Sequence, residues 1–172
     1  MSFGALRLWR RPGSVRYSAA MLSLKHIDLD MLTTAMESAD SWDLQWWLDP
    51  ATGQIQLNGA AVDGGLSSEE LEERGAVQVA TADSHRGYRD MQDFIATLED
   101  ERARATLLRA IERNRPFHHF KNAVYRDPEI GRAWSNFHDQ RMRHHAITWL
   151  LAEGLINEQE ARDALPQDPS IE

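Results

Sequence analysis

Seven histidines are the residues of this sequence best suited to metal chemistry. A metal site on one helix needs two ligands three or four residues apart, so that both side chains reach the same ion. His118 and His119 are adjacent and point about 100° apart, as do His144 and His145. His138 shares a helix face with His145, but they are seven positions apart, which corresponds to about 10 Å along the axis. The spacing therefore predicts no metal site, and we expect no cofactor.

A basic side chain stands on the apolar face of a long helix predicted over residues 128–153. At 100° per residue, Arg141 falls at the centre of a stripe formed by Ile130, Trp134, Phe137 and Thr148. An unpaired charge on such a face is costly. We therefore predict an ion pair between Arg141 and a carboxylate of a neighbouring helix, Asp90 or Asp93.

A second hypothesis gives the same face a role in binding. His138 and His145 flank Arg141 along the helix, and Lys121 lies on the preceding helix. Arginine offers a planar pair of donors to a carboxylate or phosphate, and lysine adds a point charge. The candidate ligand-binding residues for a small anionic ligand are therefore Arg141, His138, His145 and Lys121.

A competing site is the basic region between Arg102 and Lys121. Arg109, Arg113, Arg115 and Lys121 could contact the phosphates of a nucleic acid, with aromatic side chains nearby for stacking. The net charge of −8 and the acidic residues within this region disfavour nucleic acid as the partner.

Enzymatic chemistry has less support than binding. The chain has no cysteine, which excludes a thiol nucleophile, an iron–sulfur cluster and a disulfide framework. It also lacks the Gly-x-Ser-x-Gly elbow of serine hydrolases and a phosphate-binding glycine loop. A hydrolytic enzyme that uses histidine and aspartate is the third hypothesis, and no catalytic residue is predicted.

The composition is that of a soluble globular protein. Of the 172 residues, 42% are hydrophobic and 27% are charged, and no apolar run approaches the roughly 18–20 residues of a membrane span. The first 27 residues contain five basic and no acidic residues, which is typical of a targeting segment or of a disordered or mis-started leader. We expect such a leader at residues 1–25, one domain at residues 26–165 and a frayed tail at residues 166–172, in a cytoplasmic protein without a membrane partner.

The first third of the chain predicts one helix followed by strands. Asp28 is the expected N-cap of a helix over residues 29–39. In a strand over residues 44–48, alternate residues face the core, which leaves Trp47 on the other face.

A small antiparallel sheet follows from this strand. Asp49-Pro50-Ala51-Thr52-Gly53 predicts a tight turn, and thus a β-hairpin over residues 43–57. A third strand is predicted near residues 76–81. Three strands need a cover, and everything after residue 84 reads as helix, so the fold class is α+β with a mainly helical C-terminal two-thirds.

Helical spacing recurs through that C-terminal part. Apolar residues follow it from Tyr88 to Leu98, and Asp100, Pro116 and Asn157 mark the starts of further helices. Phe117 is placed on the buried stripe of the helix that Pro116 begins.

Several short motifs occur in a fixed order along the chain. They are Trp47-Leu48-Asp49-x-x-Thr52-Gly53, Tyr88-Arg89-Asp90-Met91-Gln92-Asp93-Phe94-Ile95, Phe117-x-x-Phe120-Lys121, Trp134 and Trp149-Leu150. The ordered set resembles the uncharacterised protein family numbered 0158, over roughly residues 26–156. Arg115-Pro116 and the pair His118-His119 depart from the family pattern, in which small and basic residues are expected. The resemblance implies a shared α+β fold and implies no activity.

The function predicted from these observations is a non-enzymatic binding or regulatory module. Its partner is an unknown protein or a small anionic ligand. Association with nucleic acid is the alternative, and hydrolysis is the third possibility.

Overall fold

Seven helices and a three-stranded sheet form the part of the chain that the computed structural model describes, residues 21–38, 44–58, 66–81 and 83–165. The predicted α+β class is confirmed. Most of the predicted leader, the whole predicted tail and the end of the first predicted helix lie outside the described residues.

The elements follow one another in the predicted order. The helices are α1 (Leu29–Glu37), α2 (Ser68–Glu73), α3 (Ser84–Thr97), α4 (Glu101–Ile111), α5 (Pro116–Val124), α6 (Pro128–Ala152) and α7 (Glu158–Ala164). The strands are β1 (Gln45–Leu48), β2 (Ile55–Asn58) and β3 (Val77–Gln78). Strand β1 is central, and it pairs antiparallel with β2 on one side and β3 on the other.

Short-range side-chain hydrogen bonds set the element boundaries. The Asp28 carboxylate accepts from the Met31 backbone N–H at 2.9 Å, which caps α1 as predicted. In the predicted hairpin turn, the Thr52 hydroxyl donates to the Asp49 carboxylate at 2.9 Å, and Gly53 adopts a φ of 76°. A Cβ atom at Gly53 would lie 2.6 Å from a backbone carbonyl oxygen, so the turn requires glycine twice over.

Two hydrophobic clusters hold the described chain together, and α6 contributes to both. The sheet cluster packs one face of the sheet against α1, α7 and the C-terminal half of α6, and includes Leu32, Leu48 and Leu150. The helical cluster packs α3, α4 and α5 against the N-terminal half of α6, around Phe94 and Phe120. Helices α3 to α5 thus have a core of their own beside the sheet.

The buried side of α6 turns along the helix, which corrects the predicted apolar stripe. Trp134 and Phe137 contact the helical cluster, whereas Ile147 and Leu150 contact the sheet cluster from a different side of the helix. Thr148, which the single-stripe prediction placed on the buried face, is exposed.

Two aromatic residues also differ from prediction in their burial. Trp47 occupies the opposite face of β1 from Leu48, as alternation requires, but it is only 1% exposed, so both faces of β1 are covered. Phe117, predicted to be buried, is 46% exposed.

The packed chain begins before the predicted domain boundary at residue 26. Leu22 is buried in the sheet cluster, and its backbone N–H donates to the Leu155 carbonyl at 2.8 Å. The Glu160 carboxylate accepts from the Ser23 hydroxyl at 2.7 Å and from the Leu24 backbone N–H at 2.9 Å. These contacts fasten the segment before α1 onto α7.

Candidate functional site

Helix α5 separates two surface clefts, one on each of its sides. Phe117, Lys121 and Tyr125 recur at four-residue spacing and line a cleft against α3 and α6 with a volume of about 460 Å³. His119 and Arg126 lie on the opposite side of α5 and line a groove against α4 of about 530 Å³. We call the first the aromatic cleft and the second the basic groove.

Glycines on two neighbouring helices seat the exposed rings of the aromatic cleft. A Cβ atom at Gly87 of α3 would lie 3.1 Å from the Phe117 ring, and one at Gly131 of α6 would lie 3.2 Å from the Tyr125 ring. Tyr125 is 55% exposed, so both rings present one surface to solvent while the other rests on a helix. This support holds two large aromatic side chains in place without burying them.

Two histidine–carboxylate pairs line the inner part of the aromatic cleft. His145 Nε2 lies 3.0 Å from Asp90 Oδ2, and both side chains are largely buried. His138 Nε2 lies 3.4 Å from Glu37 Oε1 at the end of α1. Together with the ring of Trp134, these pairs join α3 and α1 to α6 beneath the two exposed rings.

Arg141 forms the predicted ion pair with α3 and lies outside the aromatic cleft. Its Nη2 donates to Asp93 Oδ2 at 2.8 Å, and its Nε lies 4.0 Å from Asp90 Oδ1. The guanidinium also lies over the Phe137 ring, 5.1 Å from the centroid. The ion pair predicted between Arg141 and a carboxylate of α3 is therefore present.

Positive charges accumulate around the adjacent residue His144. Its pKa is lowered from the usual 6.5, first by partial burial and then by the charges of His145 and Arg141, with a smaller opposing effect of Asp90. These effects disfavour a proton on His144.

The basic groove contrasts with the aromatic cleft because no carboxylate lines it among the described residues. One wall contains Arg109 of α4 and Arg113, two residues beyond the end of α4. The other wall contains His119 of α5 and Arg126, two residues beyond the end of α5. Arg109 Nε donates to the Ala105 carbonyl at 3.1 Å, which orients its guanidinium. Burial lowers the pKa of His119, and the charges of Arg113, His118 and Arg115 lower it further. The groove is thus a region of positive charge.

The structure divides both predicted sets of site residues. Of the anion-site set, His138, His145 and Lys121 line the aromatic cleft, whereas Arg141 does not. Of the nucleic-acid set, Arg109 and Arg113 line the basic groove. Lys121 instead faces the aromatic cleft, and Arg115 lines neither cleft.

Sequence reasoning missed several residues of both sites. Phe117 and Tyr125 are eight residues apart, a spacing that places them on one face of a helix, and this signal could have found them. Arg86, His119 and Arg126 carry no such signal, since only the packing of α3 against α6 and of α4 against α5 brings them to the clefts.

Comparison with known proteins places the chain in a family. The model of the uncharacterised protein family UPF0158 matches residues 25–169. The chain belongs to this family. It is also 30% identical over 126 residues to the UPF0158 protein PA5073 of Pseudomonas aeruginosa, a match that covers 72% of this chain and 80% of that protein. No solved structure matches the chain.

The UPF0158 match confirms the resemblance predicted from the ordered motifs and reaches beyond the predicted end at residue 156. It contains every residue that lines the aromatic cleft and the basic groove. The family is uncharacterised, so membership supplies a fold relationship and leaves the function to be argued from the two clefts.

The described ranges contain neither a cluster of metal ligands nor a membrane-spanning helix. Within them, no group of three or more histidine, aspartate or glutamate side chains could hold a metal ion. None of the described helices is long and apolar enough to cross a bilayer.

Proposed function

We propose that this UPF0158 protein is a non-enzymatic binding module whose aromatic cleft holds a small ligand with a planar ring and an anionic group. The observation that carries the proposal is the pair of exposed rings, Phe117 and Tyr125, each seated on a glycine of a neighbouring helix. Exposed aromatic side chains in fixed positions provide stacking surfaces without an ordering cost upon binding.

Two cations of the aromatic cleft are available to an anionic group on that ligand. Arg86 and Lys121 line the cleft and have no ion-pair partner among the described residues. Of the carboxylates that line it, Glu37 and Asp90 contact histidines, and Asp83 caps α3 by accepting from a backbone N–H. Asp139 makes no ion pair in the described chain. Arg86 and Lys121 are therefore the side chains proposed to hold the anionic group.

A binding role suits the cleft better than a hydrolytic one. The hydroxyl of Ser135 donates to the Gly131 carbonyl at 3.0 Å. No hydrogen bond joins a hydroxyl group to His138 or His145 within the described part of the chain. The histidine–carboxylate pairs of the described chain thus lack the hydroxyl nucleophile of a serine-type hydrolase.

The proposal is tested with adenosine 5′-monophosphate as a probe, and with adenosine and inorganic phosphate as its separate halves. We expect the nucleotide to raise the melting temperature more than either half at equal concentration, because only it engages both ring and charge. Lys121→Ala should abolish most of this shift. Gly87→Ala should reduce it by displacing the Phe117 ring.

Arg113→Ala is the matched control, because it removes a cation from the opposite side of α5. It should leave the nucleotide-induced shift intact. No shift with any of the three probes, or a shift that Arg113→Ala removes while Lys121→Ala does not, would contradict the proposal. The cytoplasmic location and a protein as partner stay predictions.

A further inference from the structure

We infer that the basic groove between α4 and α5 binds the sugar–phosphate backbone of single-stranded nucleic acid. This inference is independent of the proposed function because it uses the opposite side of α5. It also differs from the residue set predicted from the sequence, since Arg126 and His119 join Arg109 and Arg113, while Lys121 and Arg115 are absent.

The arginines of the groove are available to bind a ligand. Arg113 and Arg126 are exposed and make no ion pair among the described residues. Arg109 is exposed, and its Nε donates to the Ala105 carbonyl of its own helix, which leaves its two terminal amino groups available to a ligand. A protein with a net charge of −8 has many carboxylates to offer, yet in the described chain none lines this groove.

The hydrogen-bond donors of the groove indicate that the ligand contains phosphate groups. Guanidinium groups form paired hydrogen bonds with phosphate oxygens, and three of them here converge on one groove. His119 and the side-chain amide of Asn122 add polar groups on the α5 wall. This donor set fits phosphodiesters better than a single carboxylate, which would engage one arginine.

The exposure of the groove favours a chain of phosphates over a small phosphate compound. The arginines and Asn122 are exposed, so a small phosphate compound would remain largely solvated there, unlike a ligand in a typical enclosed site. A chain of phosphates gains from each contact through counterion release. Packed helices lie about 8–10 Å apart, so a groove between two of them admits a single strand rather than a duplex.

The test is fluorescence anisotropy with a labelled 20-nucleotide single-stranded RNA of mixed sequence and the full chain. With about three phosphate contacts, the logarithm of the binding constant should fall with the logarithm of salt concentration at a slope of about −2. Between 50 and 200 mM salt this slope corresponds to a roughly 16-fold loss of affinity.

Charge-reversal variants then locate the binding surface. Arg109→Glu with Arg113→Glu should weaken binding at 50 mM salt at least about tenfold, since reversal turns two attractions into repulsions. Arg132→Glu reverses an exposed charge on α6 that lines neither cleft and should alter affinity less than about twofold if the groove is the site. Circular dichroism and melting curves establish that each variant is folded.

Three outcomes would overturn the inference. One is the absence of RNA binding at 50 mM salt. Another is an equal loss of affinity in Arg132→Glu and in the double arginine variant. The third is that inorganic phosphate alone, or vesicles containing phosphatidylserine alone, bind through the groove arginines while RNA does not.

Discussion

Replacing Arg141 with methionine should cost only about 1 kcal/mol of unfolding free energy, although the residue joins two helices through an ion pair. The Arg141 side chain is 38% exposed and that of its partner Asp93 is 52% exposed. Ion pairs with this exposure contribute about 0–1 kcal/mol. Methionine keeps a flexible apolar stem against the Phe137 ring, which offsets part of the lost cation–π contact.

The buried carboxylate of Asp90 decides the magnitude. Leaving a buried charge without a partner costs about 3–5 kcal/mol. In Arg141→Met, however, Asp90 keeps His145 at 3.0 Å, whereas the Arg141 Nε that it loses lies 4.0 Å away. The Asp90 carboxylate therefore keeps its shorter polar contact.

A double-mutant cycle in urea tests this reasoning. His145→Leu alone leaves Asp90 with Arg141, while His145→Leu combined with Arg141→Met removes both polar side chains that face it. We expect the combined loss to exceed the sum of the single losses by about 1 kcal/mol or more, since contacting residues couple. A loss above about 3 kcal/mol in Arg141→Met alone, or strict additivity in the cycle, would refute the reasoning.

Three further predictions follow from other parts of the fold. Phe94→Ala should cost about 3–5 kcal/mol in urea unfolding, because the ring is 2% exposed and meets Phe120, Trp134 and Phe137; a loss below about 1 kcal/mol would show that the helical cluster is not a core. The lowered pKa of His144 means that the unfolded chain binds more protons, so stability falls as pH drops below about 6.5. His144→Gln should therefore flatten the decline in melting temperature between pH 7 and pH 5, and an unchanged slope would contradict that cause. Deleting residues 1–20 should leave the melting temperature unchanged, whereas deleting residues 1–26 should lower it by about 3 °C or more. That shift is the one expected for a loss of roughly 1 kcal/mol of unfolding free energy. Equal melting temperatures of the two deletion variants would mean that the contacts with α7 contribute nothing to stability.

Local features of the fold were predictable because they depend on neighbouring residues alone. Asp28 caps the helix that begins one residue later, and Asp49, Thr52 and Gly53 form their turn through bonds that span five residues. The partners of each such hydrogen bond lie within a few residues of each other, so residue type and spacing determine whether it forms.

The burial of individual faces was less predictable, because it depends on which elements meet. Helix α6 spans 25 residues and contacts two clusters from different sides, so a single helical wheel misplaced Thr148. Phe117 has the spacing of a core residue, but Gly87 on another helix gives its ring a surface site instead.

The candidate sites depend partly on the spacing of neighbouring residues and partly on which helices pack together. Arg109 lies in the last turn of α4 and Arg113 follows four residues later, a spacing from which the sequence alone predicts that both lie on one side. Arg126 joins them only because α5 packs beside α4 after the break before Pro116. Lys121 leaves them because it lies on the other side of α5.

The most direct test of the aromatic cleft as a ligand site is a two-dimensional ¹H–¹⁵N NMR titration of the labelled full chain with adenosine 5′-monophosphate. The account predicts that the largest shift changes fall on backbone amides of the first two turns of α3, on Lys121 and Tyr125, and on α6 near His138. The sheet should remain unperturbed. Perturbations confined to the sheet or to the Arg109–Arg113 wall, or no change at millimolar nucleotide, would contradict it.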